Sequence, residues 1–289
     1  MDQARTLRVM AEESGGVQSG RPATRVIAVS SGKGGVGKTN SVANLAVAFA
    51  RMGKRVLLLD ADLGLGNLDI LLGLTPKYNL GHLLRGERTL EEVVVRGPFG
   101  IMILPASSGV QELTNLSPEE RLSLASHLEG MGLHVDILFI DTGAGISSNV
   151  LFFNMSAQEI IVVVSPEPTS LTDAYALMKV LLQKHGERAF KLLVNNVKTK
   201  KEGLDVYRKL SLVAERFLNI SVDYIGCVLH DDNVPKAVVQ QKAVLDVYPE
   251  SKASLCYMEI ARGISQTQVG KVMKGGMQFF WRQVLSRQY

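Results

Sequence analysis

One octapeptide limits the fold more than any other stretch of the chain. Gly32-Lys33-Gly34-Gly35-Val36-Gly37-Lys38-Thr39 fits the pattern GxxxxGK[ST] and lies between an apolar run, Arg25 to Ser30, and a segment with helical apolar spacing, Asn40 to Met52. Its glycines let the backbone curl until the amides of Gly34 to Lys38 converge on one point, at the positive end of the following helix. Converging amides at a helix N-terminus bind phosphate. In such a loop Lys38 reaches the β- and γ-phosphates and Thr39 ligates magnesium.

The rest of the chain continues the alternation that this loop begins. Short runs that are apolar on both faces recur at Arg55 to Leu59, Gly100 to Leu104, Asp136 to Ile140, Glu159 to Val164, Lys191 to Val194 and Tyr224 to Val228. Between them lie helical patterns such as Pro118 to Met131, Thr169 to His185 and Leu204 to Phe217. The expected fold class is therefore α/β, a mostly parallel sheet covered by helices on both faces, with ligands at the carboxyl ends of the strands. No internal repeat is visible.

A chain of 289 residues with 46% hydrophobic content buries a core without help from disulfides or metals, which excludes a disulfide scaffold. Cys227 and Cys256 form no CxxC and have no histidine at ligand spacing, so they read as buried thiols of a reducing compartment. No apolar run approaches the length of a membrane span, and Met1 to Arg8 has no signal-peptide core, so a cytosolic location is expected. The net charge of +4 is unevenly placed, because Arg262, Lys271, Lys274, Arg282 and Arg287 fall in a final stretch without acids and the remainder is slightly acidic. A nucleic-acid-binding body is not expected.

Both ends stand apart from the alternation. Glu13 to Ala23 is rich in glycine and serine and reads as a tether. The expected division is 1–11 a recognition segment, 12–24 a linker, 25–270 the nucleotide-binding domain and 271–289 a cationic amphipathic segment. In the last, Met277, Phe280, Trp281 and Val284 fall at helical spacing with Leu285 alongside, a pattern suited either to an anionic membrane surface or to docking on the domain itself.

The motif wording resembles a known family. KGGVGKT is similar to the deviant Walker A loop of MinD/ParA ATPases, and the resemblance continues through Asp60 to Asp69 (DADLGLGNLD) and Asp141 to Ile146 (DTGAGI). It implies a MinD-like P-loop fold binding ATP or ADP with Mg2+, slow ATP hydrolysis and an ATP-dependent homodimer. The implied nucleotide-binding set is Gly32, Lys33, Gly34, Gly35, Val36, Gly37, Lys38, Thr39 and Asn40. Lys33 would reach the phosphates held by the opposite subunit, Asp62 would orient the attacking water, and Asp141 would hold magnesium with Thr39, directly or through water. Asp60 would support that site. For the adenine, the family's use of an asparagine points to Asn195, with an Asx turn closing the strand as the lesser alternative; His230, Asp231 and Asp232 are weaker candidates.

Within that family the cysteines do not fit the cluster-carrying members, and the acidic body does not fit a DNA-gliding partition protein. Asp2-Gln3-Ala4-Arg5-Thr6-Leu7-Arg8 resembles the N-terminal activator element, DQAxxLR, of the FlhG (FleN, YlxH) flagellar regulators. Asn40 and the wording of Asp141 to Ser147 also lean that way. The resemblance implies that Asp2, Gln3, Ala4, Leu7 and Arg8 contact and stimulate an FlhF-type GTPase, that the dimer associates reversibly with the inner face of the cell membrane, and that flagellar number or placement is controlled. A flagellar transcription activator or switch-complex proteins are further possible partners. The alternatives are a MinD-type division-site regulator and a non-hydrolysing nucleotide-bound adaptor.

Overall fold

The computed structural model describes residues 24–106, 116–130 and 135–267. In chain order the elements are β1 (Arg25–Ser31), α1 (Lys38–Arg51), β2 (Val56–Ala61), α2 (Leu68–Leu71), α3 (Leu80–Leu84), α4 (Leu90–Val93), β3 (Val95–Arg96), β4 (Met102–Leu104), α5 (Pro118–Gly130) and β5 (Ile137–Ala144). There follow α6 (Ser148–Ser156), β6 (Glu159–Val164), α7 (Pro168–His185), β7 (Phe190–Val197), α8 (Lys200–Leu218), β8 (Val222–Leu229), α9 (Asn233–Val239), α10 (Val244–Val247) and α11 (Lys252–Gln266).

The strands form one sheet in the order β3-β4-β2-β5-β1-β6-β7-β8, parallel except for the β3–β4 pair. The strand that carries the phosphate loop is thus central, paired to β5 on one side and β6 on the other. Continuously apolar strands are possible because both faces are covered. On one face Val29, Phe49, Leu58, Phe139, Tyr257 and Ile260 join α1 and α11 to the sheet. On the other, Leu138, Ile140 and Phe153 pack under α6, and Leu177, Leu181, Val206 and Leu210 join α7 and α8 to β6 and β7.

The expected class is the observed one, with particular differences. β3 has two residues, too short to leave a periodic signal, and it adds the antiparallel edge. β7 does not stop at Val194 but continues to Val197 through an irregularity at which Asn196 takes a left-handed φ of 60°. The helix α11 was not singled out in the sequence, yet its fully buried Tyr257 and Ile260 make it a main wall of the core. The activator residues Asp2, Gln3, Ala4, Leu7 and Arg8 and the amphipathic residues Met277, Phe280, Trp281, Val284 and Leu285 lie outside the described residues. Among the described residues no helix is long and apolar enough to cross a membrane.

Candidate functional site

At the carboxyl edge of β1 the chain turns through the glycine loop and enters α1 at Lys38. Gly37 precedes it with φ 87°, and no side chain caps the helix, so the first-turn amides stay open toward the loop. A Cβ added at Gly34 or Gly35 would meet nothing within 4 Å, which is the open cradle that a bound phosphate requires. Gly32 and Gly37 are needed for other reasons. An added Cβ would run into the Asp173 backbone of α7 in the first case and into the Asn195 amide in the second.

Lys38 reaches 2.6 Å from Asp141 Oδ1, with side-chain exposures of 8% and 2%, and its ammonium lies 3.4 Å from Thr39 Oγ1. Thr39 also hydrogen-bonds Asp141. A cation thus already sits between the hydroxyl and the carboxylate that would hold magnesium, so the donor set fits that ion. Burial pushes the Asp141 carboxyl up, and the Lys38 ammonium opposes that shift.

Asp60 lies beside Asp141 in the β2–β5 register and is buried. Its two oxygens accept the amides of Asp62 at 3.2 Å and Leu68 at 3.1 Å, which folds residues 62–68 around it. Burial, then the charge of Asp141, push its carboxyl up to about 7. Because this exceeds the ordinary 3.8, the folded protein holds more protons than the unfolded chain between those values, and stability falls as pH rises across the interval. Asp136 and Glu159 are lowered and stay ionised in both states above pH ~5. Urea melts of the nucleotide-free protein should therefore lose stability on the order of 3 kcal/mol as pH rises toward 7, then level off. Asp60→Asn should make the profile shallower, leaving the contribution of Asp141, whose carboxyl is also pushed up by burial, and a stability that climbs steadily from pH 5 to 8 would contradict the assignment.

Asp62 follows β2, and its Oδ1 lies 3.6 Å from where a Gly143 Cβ would stand, so its side chain faces the carboxyl end of β5. Lys33 is held by Glu167 at 2.6 Å and Thr169 at 3.1 Å, at the start of α7. Asn40, in the first turn of α1, accepts the Asn44 amide on its carbonyl.

Asn195 donates to the Val36 carbonyl at 2.8 Å, so its amide braces the phosphate loop. Neighbouring Asn196 instead faces solvent and meets His230 Nδ1 at 2.8 Å. Asp231 accepts the amides of Asn233 and Ala253, which engages both oxygens in holding the starts of α9 and α11, and the backbone donors keep its carboxyl low. Asp232 lies 3.4 Å from His230 Nε2 at the surface.

Sequence reasoning missed a polar network beneath the loop. Ser30 Oγ meets Thr142 Oγ1 at 2.7 Å and Asn154 at 2.7–2.9 Å, and Asn154 also donates to the Val150 carbonyl. All three residues are buried, and they tie β1, β5 and α6 together directly behind Asp141. Isolated Ser, Thr and Asn residues in apolar runs were the available signal.

The AAA domain family model matches residues 24–192. The antiactivator FleN of Pseudomonas aeruginosa is 44% identical over 256 residues, covering 89% of this chain and 91% of that protein. The flagellum site-determining protein YlxH of Helicobacter pylori is 33% identical over 266 residues, 91% of this chain and 90% of that one. The septum site-determining protein MinD of Pyrococcus horikoshii, solved with Mg-ADP, superposes with a TM-score of 0.70 at 27% identity, covering 84% of this chain and 96% of that structure. With a central phosphate-loop strand, a loop lysine seated on a buried aspartate and relatives of this identity over nearly its whole length, the chain belongs to the FleN/YlxH branch of the MinD/ParA family of P-loop proteins.

Proposed function

We propose that this protein is an ATP-hydrolysing switch, converting ATP and water to ADP and phosphate, whose nucleotide-dependent homodimer controls flagellar number or placement. The observation that carries the reading is Lys38 seated on Asp141 inside an open ring of loop amides. Arriving phosphates offer Lys38 a stronger partner than Asp141, and the open amides of α1 bind the same oxygens. Thr39 and Asp141, with Asp60 behind them, would hold Mg2+, which would supply neutralising charge for the β- and γ-phosphates. Asp62 orients water toward the γ-phosphate, and Lys33 leaves Glu167 for the phosphates of the second subunit. Asn195 keeps the loop in register beside the base, and Asn196 offers an amide to the adenine edge.

Leu65 and Ile146, exposed on loops, and Ile70, exposed on α2, supply apolar contact for a second copy. Exposed apolar residues of this kind favour association of two copies. The higher identity to FleN than to MinD proteins favours a flagellar over a septal role. We extend the reading to an FlhF-type GTPase engaged by residues 1–11, and to peripheral attachment of residues 271–289 at the inner face of the membrane. A transcription activator or switch-complex protein is a further candidate partner.

Deletion of residues 1–11 tests the division of labour. Phosphate release from ATP should be unchanged, and a synthetic Met1–Ala11 peptide should raise GTP hydrolysis by an FlhF-type dimer. Impaired ATP turnover together with an unchanged GTPase rate would place the segment in the nucleotide-binding fold and overturn the reading.

A further inference from the structure

Beneath the phosphate loop three side chains are polar where an apolar core would be less demanding. Ser30, Thr142 and Asn154 are fully buried, and no step of the proposed hydrolysis uses them. A buried polar group that loses its partner is costly, whereas apolar groups of the same shape fill such a place at little loss. What the three hold in place is therefore the question.

Directly after Asp141, β5 carries one more residue than β1. Val29 pairs with Asp141 but Ser31 pairs with Ala144, so two steps along β1 match three along β5. Such a bulge bends its strand and re-aims the residues beside it. Hydroxyls fill this one. Ser30 Oγ lies 2.7 Å from Thr142 Oγ1, which has the Gly143 carbonyl at 2.9 Å and the Val29 carbonyl at 3.2 Å. Past the bulge the Gly145 amide donates to the Ser31 carbonyl at 2.9 Å, which fastens the end of β5 to the start of the phosphate loop.

Asn154 connects the bulge to α6. Its amide donates to Ser30 Oγ and to the Val150 carbonyl, both at 2.7 Å, while the Val150 amide donates to Ser147 Oγ at 3.4 Å. Val150 is thereby held through both of its backbone groups. Its side chain comes to the same place as that of Asp62, because Val150 Cγ2 lies 3.5 Å and Asp62 Oδ1 3.6 Å from where a Gly143 Cβ would stand. Through one turn of helix, Asn154 sets the wall beside the Asp62 carboxylate.

We propose that Asn154, acting through Ser30, Thr142 and Val150, is a positioning residue for ATP hydrolysis, holding Gly143 and Val150 so that Asp62 keeps its aim on the attacking water. This rests on the hydrolytic reading and on the role given there to Asp62. Asn154→Leu and Thr142→Val keep the volume and remove the hydrogen bonds. Each should lower kcat for phosphate release about tenfold, with KM and the affinity for ADP changed less than about threefold. Each should also accumulate as dimer under saturating Mg-ATP in size-exclusion chromatography with light scattering. Thr142→Ser, which keeps the hydroxyl, should recover most of the rate. Single variants also strand a polar partner and should melt at lower temperature. Ser30→Ala/Thr142→Val/Asn154→Leu strands none, so its melting temperature should return toward the wild-type value while kcat stays low.

A wild-type kcat in Asn154→Leu overturns the proposal, and so does a triple variant whose rate recovers together with its melting temperature, since the network would then serve the fold alone. Equal loss of rate in Thr142→Ser and Thr142→Val, or ADP affinity falling in step with kcat, overturns it too. Asp62→Ala separates the two levels. If it releases phosphate as fast as wild type, the role of Asp62 fails and the proposal with it; if it is slow while the network variants turn over normally, the positioning role alone fails.

Discussion

Lys38→Met is expected to abolish ATP binding, at least a hundredfold in affinity, and to unfold the protein more easily. Two separate causes are involved. The loop amides lose the single charge that reaches the phosphates, and Asp141 is left buried beside Asp60 without its cation. Breaking a buried ion pair on one side costs about 3–5 kcal/mol, because the surviving charge has neither bulk water nor a countercharge. Lys38→Met/Asp141→Asn separates the causes. Removing the stranded charge should restore most of the thermal stability, whereas nucleotide affinity, followed with a fluorescent ATP analogue, should stay lost. If the double variant regains ATP binding, Lys38 serves the fold rather than the nucleotide. If Lys38→Met binds ATP normally, the phosphate loop has been misread.

Asp62→Ala should keep ATP and lose its turnover. The side chain is half-buried just after β2, and its amide is held by Asp60, so removing the carboxylate leaves the Lys38–Asp141 pair in place. A carboxylate that orients and activates water contributes roughly a hundredfold or more to hydrolysis. Phosphate release should fall by that factor, with ATP affinity changed less than about threefold. Hydrolysis is also the step that resets the dimer, so the variant should accumulate as dimer in size-exclusion chromatography with light scattering under saturating Mg-ATP. A monomer under those conditions, or phosphate release at the wild-type rate, would remove Asp62 from its role.

The two results also bear on Lys33. In the single chain it rests on Glu167 and Thr169, 134 and 136 residues away, at an exposed position where an ion pair contributes little. A pair that weak gives way readily to a phosphate, which suits a residue that changes partner when two subunits close.

Much of this arrangement was legible in the linear chain, for a physical reason. The phosphate loop is a local device, since its glycines, its lysine and the helix that follows are contiguous, and no distant residue is needed to make backbone amides converge. Parallel strands buried on both faces announce themselves as apolar runs, and Asp60, Asp62 and Asp141 stand where such runs end at the ligand edge. What only the tertiary structure decided are pairings across more than a hundred residues. The partner of Lys38 is 103 residues away, and Asn195 turns its amide onto Val36, 159 residues away. Asp231 reads in the chain as a candidate for base contact, and the fold supplies the two backbone amides by which it braces α9 and α11. Ser30, Thr142 and Asn154 are unremarkable in sequence and become a network only when β1, β5 and α6 stack. Periodicity records which face a residue takes, because burial acts on every residue of a face alike. A hydrogen bond or ion pair depends on the few atoms that the fold brings to that point, and these carry no repeating mark in the chain.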